Sequence, residues 1–417
     1  MKNSEHMQSS EFMQPKVRPA WLVILAAGTI VAMAMGLRQV MGLYLKPVSL
    51  DLGIGREPFS NAMAVANLVW GIGAIIAGGI ADKFGAGRVI VVCALATVGG
   101  LLTMMAATSP WWLYLSGILT GVGVAGTGVT ALVGAVGRSV AAEKRLAAIA
   151  SMGMAGGIGQ LVAFPLAHVL IEYTGWKMSL GILAAIAVTM VPLALPIAGR
   201  PPAMPNNVIS QSLGEAVREA AAHPSYWLLT LGFFVCGFHV AFYGVHLPAY
   251  VSDKGLPSWV GVYALMAVGI ANIFGTYMAG QSGRWVEKRV GLSYIYFMRC
   301  LPFLALLFLP ITATSVIAIS ALLGVFWLST VPLTSGLVGM FFGTQWMSML
   351  FGFVFLSHQL GSFTGLWLAG YVYDSTKSYD LMWWISIALG LAAGLIHLPI
   401  RELPAARIEG DATALGG

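Results

Sequence analysis

Gly78-Gly79-Ile80-Ala81-Asp82-Lys83-Phe84-Gly85-Ala86-Gly87-Arg88 sits between two long apolar runs. A degraded copy begins at Gly280, 202 positions on, about half the length of the 417-residue chain. A charged turn repeated at half-length predicts two homologous helical bundles around a central path. The repeat is wider than the turn. Gly36-x-Arg38 matches Gly237-x-His239, and Pro47 matches Pro248, both at an offset of 201. Gly73 and Gly275 match at 202, and Gly159-Gln160-Leu161 is similar to His358-Gln359-Leu360 at 199. Matches gathered near one offset mark an internal duplication.

Composition supplies the solvent. Hydrophobic residues make up 58% and charged residues 9%, against about 25% charged in soluble domains. Segments of about 20 apolar residues span a bilayer as helices. Twelve are expected, at 21–45, 60–80, 88–107, 110–134, 148–171, 177–197, 225–249, 258–281, 293–311, 314–338, 347–371 and 381–400. The fold class is therefore an all-α membrane protein of twelve transmembrane helices in two pseudo-symmetric six-helix bundles. The expected layout is a tail at 1–20, a bundle at 21–197, a central loop at 198–223, a second bundle at 224–400 and a tail at 401–417. In the central loop Ser212-x-x-Glu215 has capping-box spacing, so a short surface helix follows it.

Charge placement sets the orientation. With both termini cytoplasmic, fifteen of the 22 Lys and Arg fall on the cytoplasmic side and five on the outer side, with Arg38 and Arg299 inside helices. This is the positive-inside pattern. It accounts for the net charge of +6 without nucleic acid and places the chain in a bacterial inner membrane. The first 19 residues are polar and do not read as a signal peptide. Trp21, Trp111, Trp112, Trp176, Trp227, Trp259, Trp383 and Trp384 fall near helix ends, where indoles favour the interface. Cys93, Cys236 and Cys300 lie in apolar runs and read as free, buried thiols. The sequence shows no phosphate loop and no paired-histidine metal motif, so neither cofactor nor metal is expected.

In the 78–88 turn, Gly78 is expected to let a neighbouring helix approach, and Gly85 to permit the tight reversal. Asp82 can accept from a helix N-terminus or pair across the bundle interface. With Lys83 and Arg88 it would form a latch made in one state and broken in another. This turn resembles the cytoplasmic loop signature of the major facilitator superfamily at every key position, and the resemblance covers nearly the whole chain. The second copy departs from it, with Arg284 where the first has Asp82. Gly36-Leu-Arg-Gln-Val-Met-Gly-Leu-Tyr-Leu, Trp327-Leu-Ser-Thr-Val-Pro-Leu-Thr and His358-Gln-Leu-Gly-Ser-Phe are similar to the monocarboxylate and oxalate–formate porter branch. The resemblance implies a transporter, not an enzyme, working by alternating access and complete in one chain. Its partners would be a small organic anion and a proton or counter-solute.

A charge at the bilayer centre costs about 2.5–3.5 kcal/mol on insertion scales, so polar residues deep in helices are candidate site residues. Arg38 in helix 1 suits a carboxylate by its planar fork. His239, its repeat mate, shares a face of helix 7 with Tyr243 and His246. In the superfamily helices 1, 4, 7 and 10 line the cavity, which implies that Arg38 and His239 approach one another. His358 in helix 11 stands where related porters carry a histidine or lysine, and Trp327 where they carry a cavity aromatic. Helix 8 departs from the branch. Asn272 and Thr276 occupy the positions of an acidic or amide residue and the arginine one turn later, so the usual carboxylate-gripping cation is missing. No Asp or Glu falls inside any expected span. Proton coupling is therefore expected to rest on His358 and His239, whose imidazoles titrate in the useful range. The alternative is an exporter of amphipathic compounds, served by a Met-rich interior. Against it, Gly153-Met-Ala-Gly156-Gly157-Ile-Gly159-Gln160 lacks the proline of the exporter signature.

Overall fold

The computed structural model describes residues 19–141, 144–198, 212–343 and 346–405. Among the described residues it contains helices and no strands. The crossings begin with α1 (Ala20–Asp51), α2 (Arg56–Phe84), α3 (Ala86–Met105) and α4 (Pro110–Gly137). A single stretch, Ala148–Ile197, follows. Its 50 residues would be ~75 Å long as a helix, more than twice a ~30 Å hydrocarbon layer. The helix is interrupted at Gly175, whose φ of 76° a side chain would disfavour. Contacts with α1 show that the chain reverses there. Gly159 lies by Ala32 and Gly36, while Ser179 meets Tyr44 and Thr189 meets Met33. The stretch is thus two crossings, α5 (145–174) and α6 (176–197).

The second half contains α7 (Pro224–Asp253), α8 (Ser258–Ser282), α9 (Lys288–Phe308), α10 (Ala313–Phe342), α11 (Met347–Thr376) and α12 (Asp380–His397). Eleven apolar stretches therefore supply the twelve crossings expected from the sequence. The surface helix is Leu213–Ala221, and its capping box is formed. The Ser212 N–H donates to Glu215 Oε2 at 2.8 Å, and the Glu215 N–H donates to Ser212 Oγ at 3.4 Å. These bonds hold the Glu215 carboxyl below its ordinary range. Most of both expected tails and half of the central loop lie outside the described residues.

The duplication appears in packing. α1 lies on α5 and α7 on α11; α2 lies on α4 and α8 on α10. The halves meet through α2 on α11 and α5 on α8, which the repeat exchanges. Gly36 and Gly237, matched in the sequence, occupy matched contacts. A methyl group on Gly36 would crowd the Gly159 carbonyl, and one on Gly237 would overlap that of His358. Small residues let helix backbones close to this distance in lipid, where no hydrophobic drive presses helices together. The breaks are paired too. The backbone of α4 is extended at Gly128, and α10 loses regular helix between Val325 and Thr330, around Trp327, 199 positions later.

One end of the bundle is closed by polar contacts between the halves. Arg56 Nη2 is 2.7 Å from Asp253 Oδ2, Lys46 Nζ is 3.2 Å from Asp253 Oδ1, and Arg56 Nη1 donates to Tyr379 Oη at 2.9 Å. The Asp374 carboxylate accepts the N–H groups of Arg56 and Glu57 at 2.9 and 2.8 Å. It thereby satisfies the first turn of α2 from the opposite half. His246, buried here, bridges Tyr379 Oη at 2.8 Å and Ser60 Oγ at 3.1 Å.

Two expectations about aromatic and small residues are corrected. Trp383 is buried within the second half, against Phe242 and Phe303, and Trp176 is also buried; neither turns its indole to the protein surface. Among the described residues nothing outside its own helix lies within 4 Å of where a Cβ on Gly78 would stand, so none of them packs closely on that glycine.

Gly237→Val should lower the melting temperature of detergent-purified protein, because α7 must move off α11; overpacking costs about 1–3 kcal/mol or more. Gly153→Ala, at a site with open space, should leave it unchanged or slightly raised. Equal melting curves for Gly237→Val and wild type would contradict the packing described.

Candidate functional site

A cavity of about 60 Å³ lies between the halves. Its walls are Leu37, Arg38, Gln39 and Met41 of α1, Met63, Asn67 and Trp70 of α2, Thr97 and Leu101 of α3, Thr120 and Val124 of α4, and Val240 and Val245 of α7, with smaller residues between them. The wall is mainly apolar. Thr97 and Thr120 donate to carbonyls one turn back in their own helices, so their hydroxyl hydrogens are spent.

The polar corner is built around Arg38. Its Nη2 donates to Asn67 Oδ1 at 2.8 Å and its Nη1 to Gln39 Oε1 at 3.2 Å. Asn67 is aimed by its own amide nitrogen, which donates to the Met63 carbonyl one turn back at 2.9 Å. The guanidinium carbon lies 4.6 Å from the centre of the Trp70 ring, within cation–π range. Two of the five guanidinium N–H groups are committed to these amides. The Trp70 indole N–H has no acceptor among the described residues. Arg38 has no ion-pair partner among the described residues. The corner is thus a half-buried cation with donors to spare, beside an apolar wall.

Of the candidates read from the sequence, Arg38 alone lines this cavity. His239 does not face it. A helix turns about 100° per residue, and Val240 and Ala241 face the cavity instead. His239 Nε2 bonds the Ser386 carbonyl at 2.8 Å, and its ring packs on Phe303 inside the second half. The expected meeting of Arg38 and His239 is not seen. Tyr243 bonds Ser320 Oγ at 2.7 Å in the same interior and packs beside the buried Trp327. Asn272 Oδ1 accepts the Leu328 N–H at 2.9 Å and the Thr276 hydroxyl at 3.1 Å. These two residues therefore brace the break in α10.

His358 reaches the cavity corner indirectly. It is buried between Phe233 and Phe355, and its Nδ1 bonds Gln359 Oε1 at 3.1 Å. Gln359 Nε2 crosses between the halves and donates to the Asn67 carbonyl at 3.0 Å. Asn67 thus meets Arg38 through its side chain and the Gln359–His358 pair through its backbone carbonyl. Asn67, Trp70 and Gln39 were missed in the sequence, although an asparagine in an apolar span was a usable signal. Arg299, noted only as a charge within a helix, lies under the α10 break and donates to the exposed carbonyls of Phe326 and Trp327.

A sequence model described as the Major Facilitator Superfamily matches residues 22–365. The chain belongs to that superfamily. It is 25% identical to monocarboxylate transporter 11 of Mus musculus, over 92% of this chain and 88% of that protein. It is 24% identical to monocarboxylate transporter 11 of Homo sapiens, over 92% and 83%. The fold matches a bacterial homologue of the human lysosomal transporter Spinster in its inward-facing, unoccupied form. The TM-score is 0.72 at 14% identity, covering 93% of this chain and 95% of that one. Against the occupied form the TM-score is 0.68.

The superfamily's loop turn is present between α2 and α3. Gly85 has φ 95° and separates the two helices, as its place in the turn requires. Lys83 and Arg88 are exposed. The side chain of Asp82, on which the expected latch depends, lies outside what is described.

Asp374→Ala should destabilise the detergent-solubilised protein by about 1–2 kcal/mol, read as a fall in melting temperature, by stripping two acceptors from the start of α2. Asp374→Asn, which keeps one oxygen, should cost less. Unaltered stability in both would show that the contact between the halves is idle.

Proposed function

We propose that the chain is a secondary transporter of a small organic anion of the carboxylate type, moved by alternating access through the cavity at Arg38. The observation that carries this reading is the half-buried Arg38 guanidinium, which has no carboxylate partner and faces an otherwise apolar cavity between two halves. A carboxylate arriving there meets a planar fork with unused N–H groups and a free indole N–H. Its apolar body rests on Leu37, Met41, Met63 and Val245. Transport of monocarboxylates by the named relatives supports the same solute class. The missing arginine of α8 is then no obstacle, because the cation is on α1.

The lysine and arginine bias supports a reading with both termini cytoplasmic, and we assign the chain to a bacterial inner membrane. The closed end, with Arg56 and Asp253, then faces outward, and the loop turn at 78–88 faces the cytoplasm. Opening outward requires the ion pairs of Arg56 and Lys46 with Asp253 to break. Binding at Arg38 competes with the Asn67 side chain, while the Asn67 backbone carbonyl accepts Gln359 of the other half. The solute thus binds beside a contact between the halves, where differential binding to two states can act. His358, at the far end of that contact, is the histidine we assign to proton coupling, and one chain suffices for the path. An exporter of amphipathic compounds would use the same apolar wall but has no use for an unpaired cation.

Reconstituted in liposomes and screened against mono- and dicarboxylates with neutral controls, the protein should take up a monocarboxylate. Arg38→Ala should cut that uptake roughly 10–100-fold, the worth of a charge-assisted hydrogen bond. Wild-type rates in Arg38→Ala would remove the anion site and favour the exporter. His358→Ala should change the pH profile of uptake; an unchanged profile would remove His358 from coupling.

A further inference from the structure

We infer that His246 is a proton-binding site of the closed end, and that a proton taken up there unlocks the contact between the halves. His246 is 1% exposed and does not line the cavity at Arg38. Its ring joins the two halves. Nδ1 lies 2.8 Å from Tyr379 Oη of the second half, and Nε2 lies 3.1 Å from Ser60 Oγ of the first. Both neighbours are tied to Arg56. Arg56 Nη1 donates to Tyr379 Oη at 2.9 Å, and the Ser60 hydroxyl donates to the Arg56 carbonyl at 2.8 Å. The bonds close a circuit that leaves Arg56 by its guanidinium and returns to its backbone.

The circuit has one direction. A guanidinium only donates, so Tyr379 Oη accepts from Arg56. Among the described residues, His246 Nδ1 is the acceptor left for the Tyr379 hydroxyl hydrogen. The ring proton therefore sits on Nε2 and is donated to Ser60 Oγ, whose own hydrogen is spent on the Arg56 carbonyl. Every donor is used when the ring is neutral. A second ring proton turns Nδ1 from acceptor into donor, and the Tyr379 hydroxyl hydrogen is stranded in a buried place. A buried donor without a partner opposes the closed packing. The Leu366 carbonyl also adjoins the ring and can take a ring N–H, but Tyr379 makes no bond to it.

Charge acts in the same sense. The ionisable groups around this end are Lys46 of α1, Arg56 and Glu57 of α2, Tyr250 and Asp253 of α7, Tyr373 and Asp374 of α11, and Tyr379 and Asp380 where α12 begins. Asp253 is already shared by Arg56 and Lys46, and Asp374 holds two backbone N–H groups. Among the described residues no carboxylate bonds the ring, so a proton on His246 sets a second cation near Arg56. The step is proton binding alone. The Nδ1 lone pair takes a proton from water, the hydrogen bond from Tyr379 breaks, and the ring gains one positive charge. Once the halves part, water can pair both ring N–H groups and the Tyr379 hydroxyl, so the proton favours the parted form. On the transport reading above this end faces outward, and a proton from outside admits the solute. That role rests on the transport reading; closure that depends on pH does not.

The test is the distance between spin labels on Leu50→Cys and Ser375→Cys in the full-length protein in detergent, read by double electron–electron resonance. Both positions are exposed, one in each half, and the native thiols are buried away from the label. Between about pH 8 and about pH 5.5 the carboxylates stay charged, since they ordinarily titrate near ~4, whereas an imidazole in water titrates near ~6.5. The distances should lengthen as the pH falls, the ratio of parted to closed protein rising up to about tenfold per unit below ~6.5. His246→Gln keeps one acceptor and one donor but takes no proton here, so its distances should stay short at both values. Tyr379→Phe removes the hydroxyl that protonation strands, so it too should flatten the response, and it decides should His246→Gln fail to fold. Equal wild-type distances at the two pH values would overturn the inference, as would an undiminished response in the variants. No solute is present, so this result is separate from uptake by the Arg38 variant.

Discussion

A guanidinium cannot shed its charge, and two of them, Arg38 and Arg299, lie deep within membrane-spanning helices with no carboxylate beside them among the described residues. The rest of the architecture is arranged around that constraint. Arg299 is sealed into the second half, and α10 gives up part of its hydrogen-bond ladder so that two carbonyls can face it. Arg38 is left at the edge of a cavity with two neutral amides for company. The first arrangement satisfies a charge permanently. The second leaves room for a negative visitor. The same residue type therefore serves structure in one half and, on our reading, recognition in the other.

The duplicated backbone makes this division visible. Helix pairs repeat faithfully, down to Gly36 and Gly237 against facing carbonyls. Side chains do not. The mate of Arg38 is His239, and it faces α12 rather than the cavity. Polar contacts between the halves gather at the end closed by Arg56, Asp253 and Asp374, with the Gln359–Asn67 bond at mid-depth. Backbone symmetry allows two halves to rock; side-chain asymmetry decides what each half holds.

The sequence carried the fold well because hydrophobic length and the half-length repeat are read directly from composition and spacing. Twelve crossings, the capping box at Ser212 and the turn at Gly85 are local properties. The site was less legible. Arg38 could be found because a charge in lipid needs a reason. Its partners could not be ranked, because which of several neighbouring positions on α7 faces the cavity depends on helix rotation, fixed by packing far away in sequence. Asn272 and Thr276 illustrate the limit. Their polarity was evident, but their target, the Leu328 amide, exists only because α10 opens there. Trp383 was misplaced for a similar reason: position near a helix end says nothing about which face that end presents.

The paired interruptions of α4 and α10 have a mechanical consequence. At Gly128 the described contact is a backbone one, its N–H to the Val124 carbonyl at 2.8 Å. Around Trp327, by contrast, side chains from α8 and α9 grip the loosened turn on both sides. On our transport reading, any bending of α10 at Trp327 must first release the contacts made by Asn272 and Arg299.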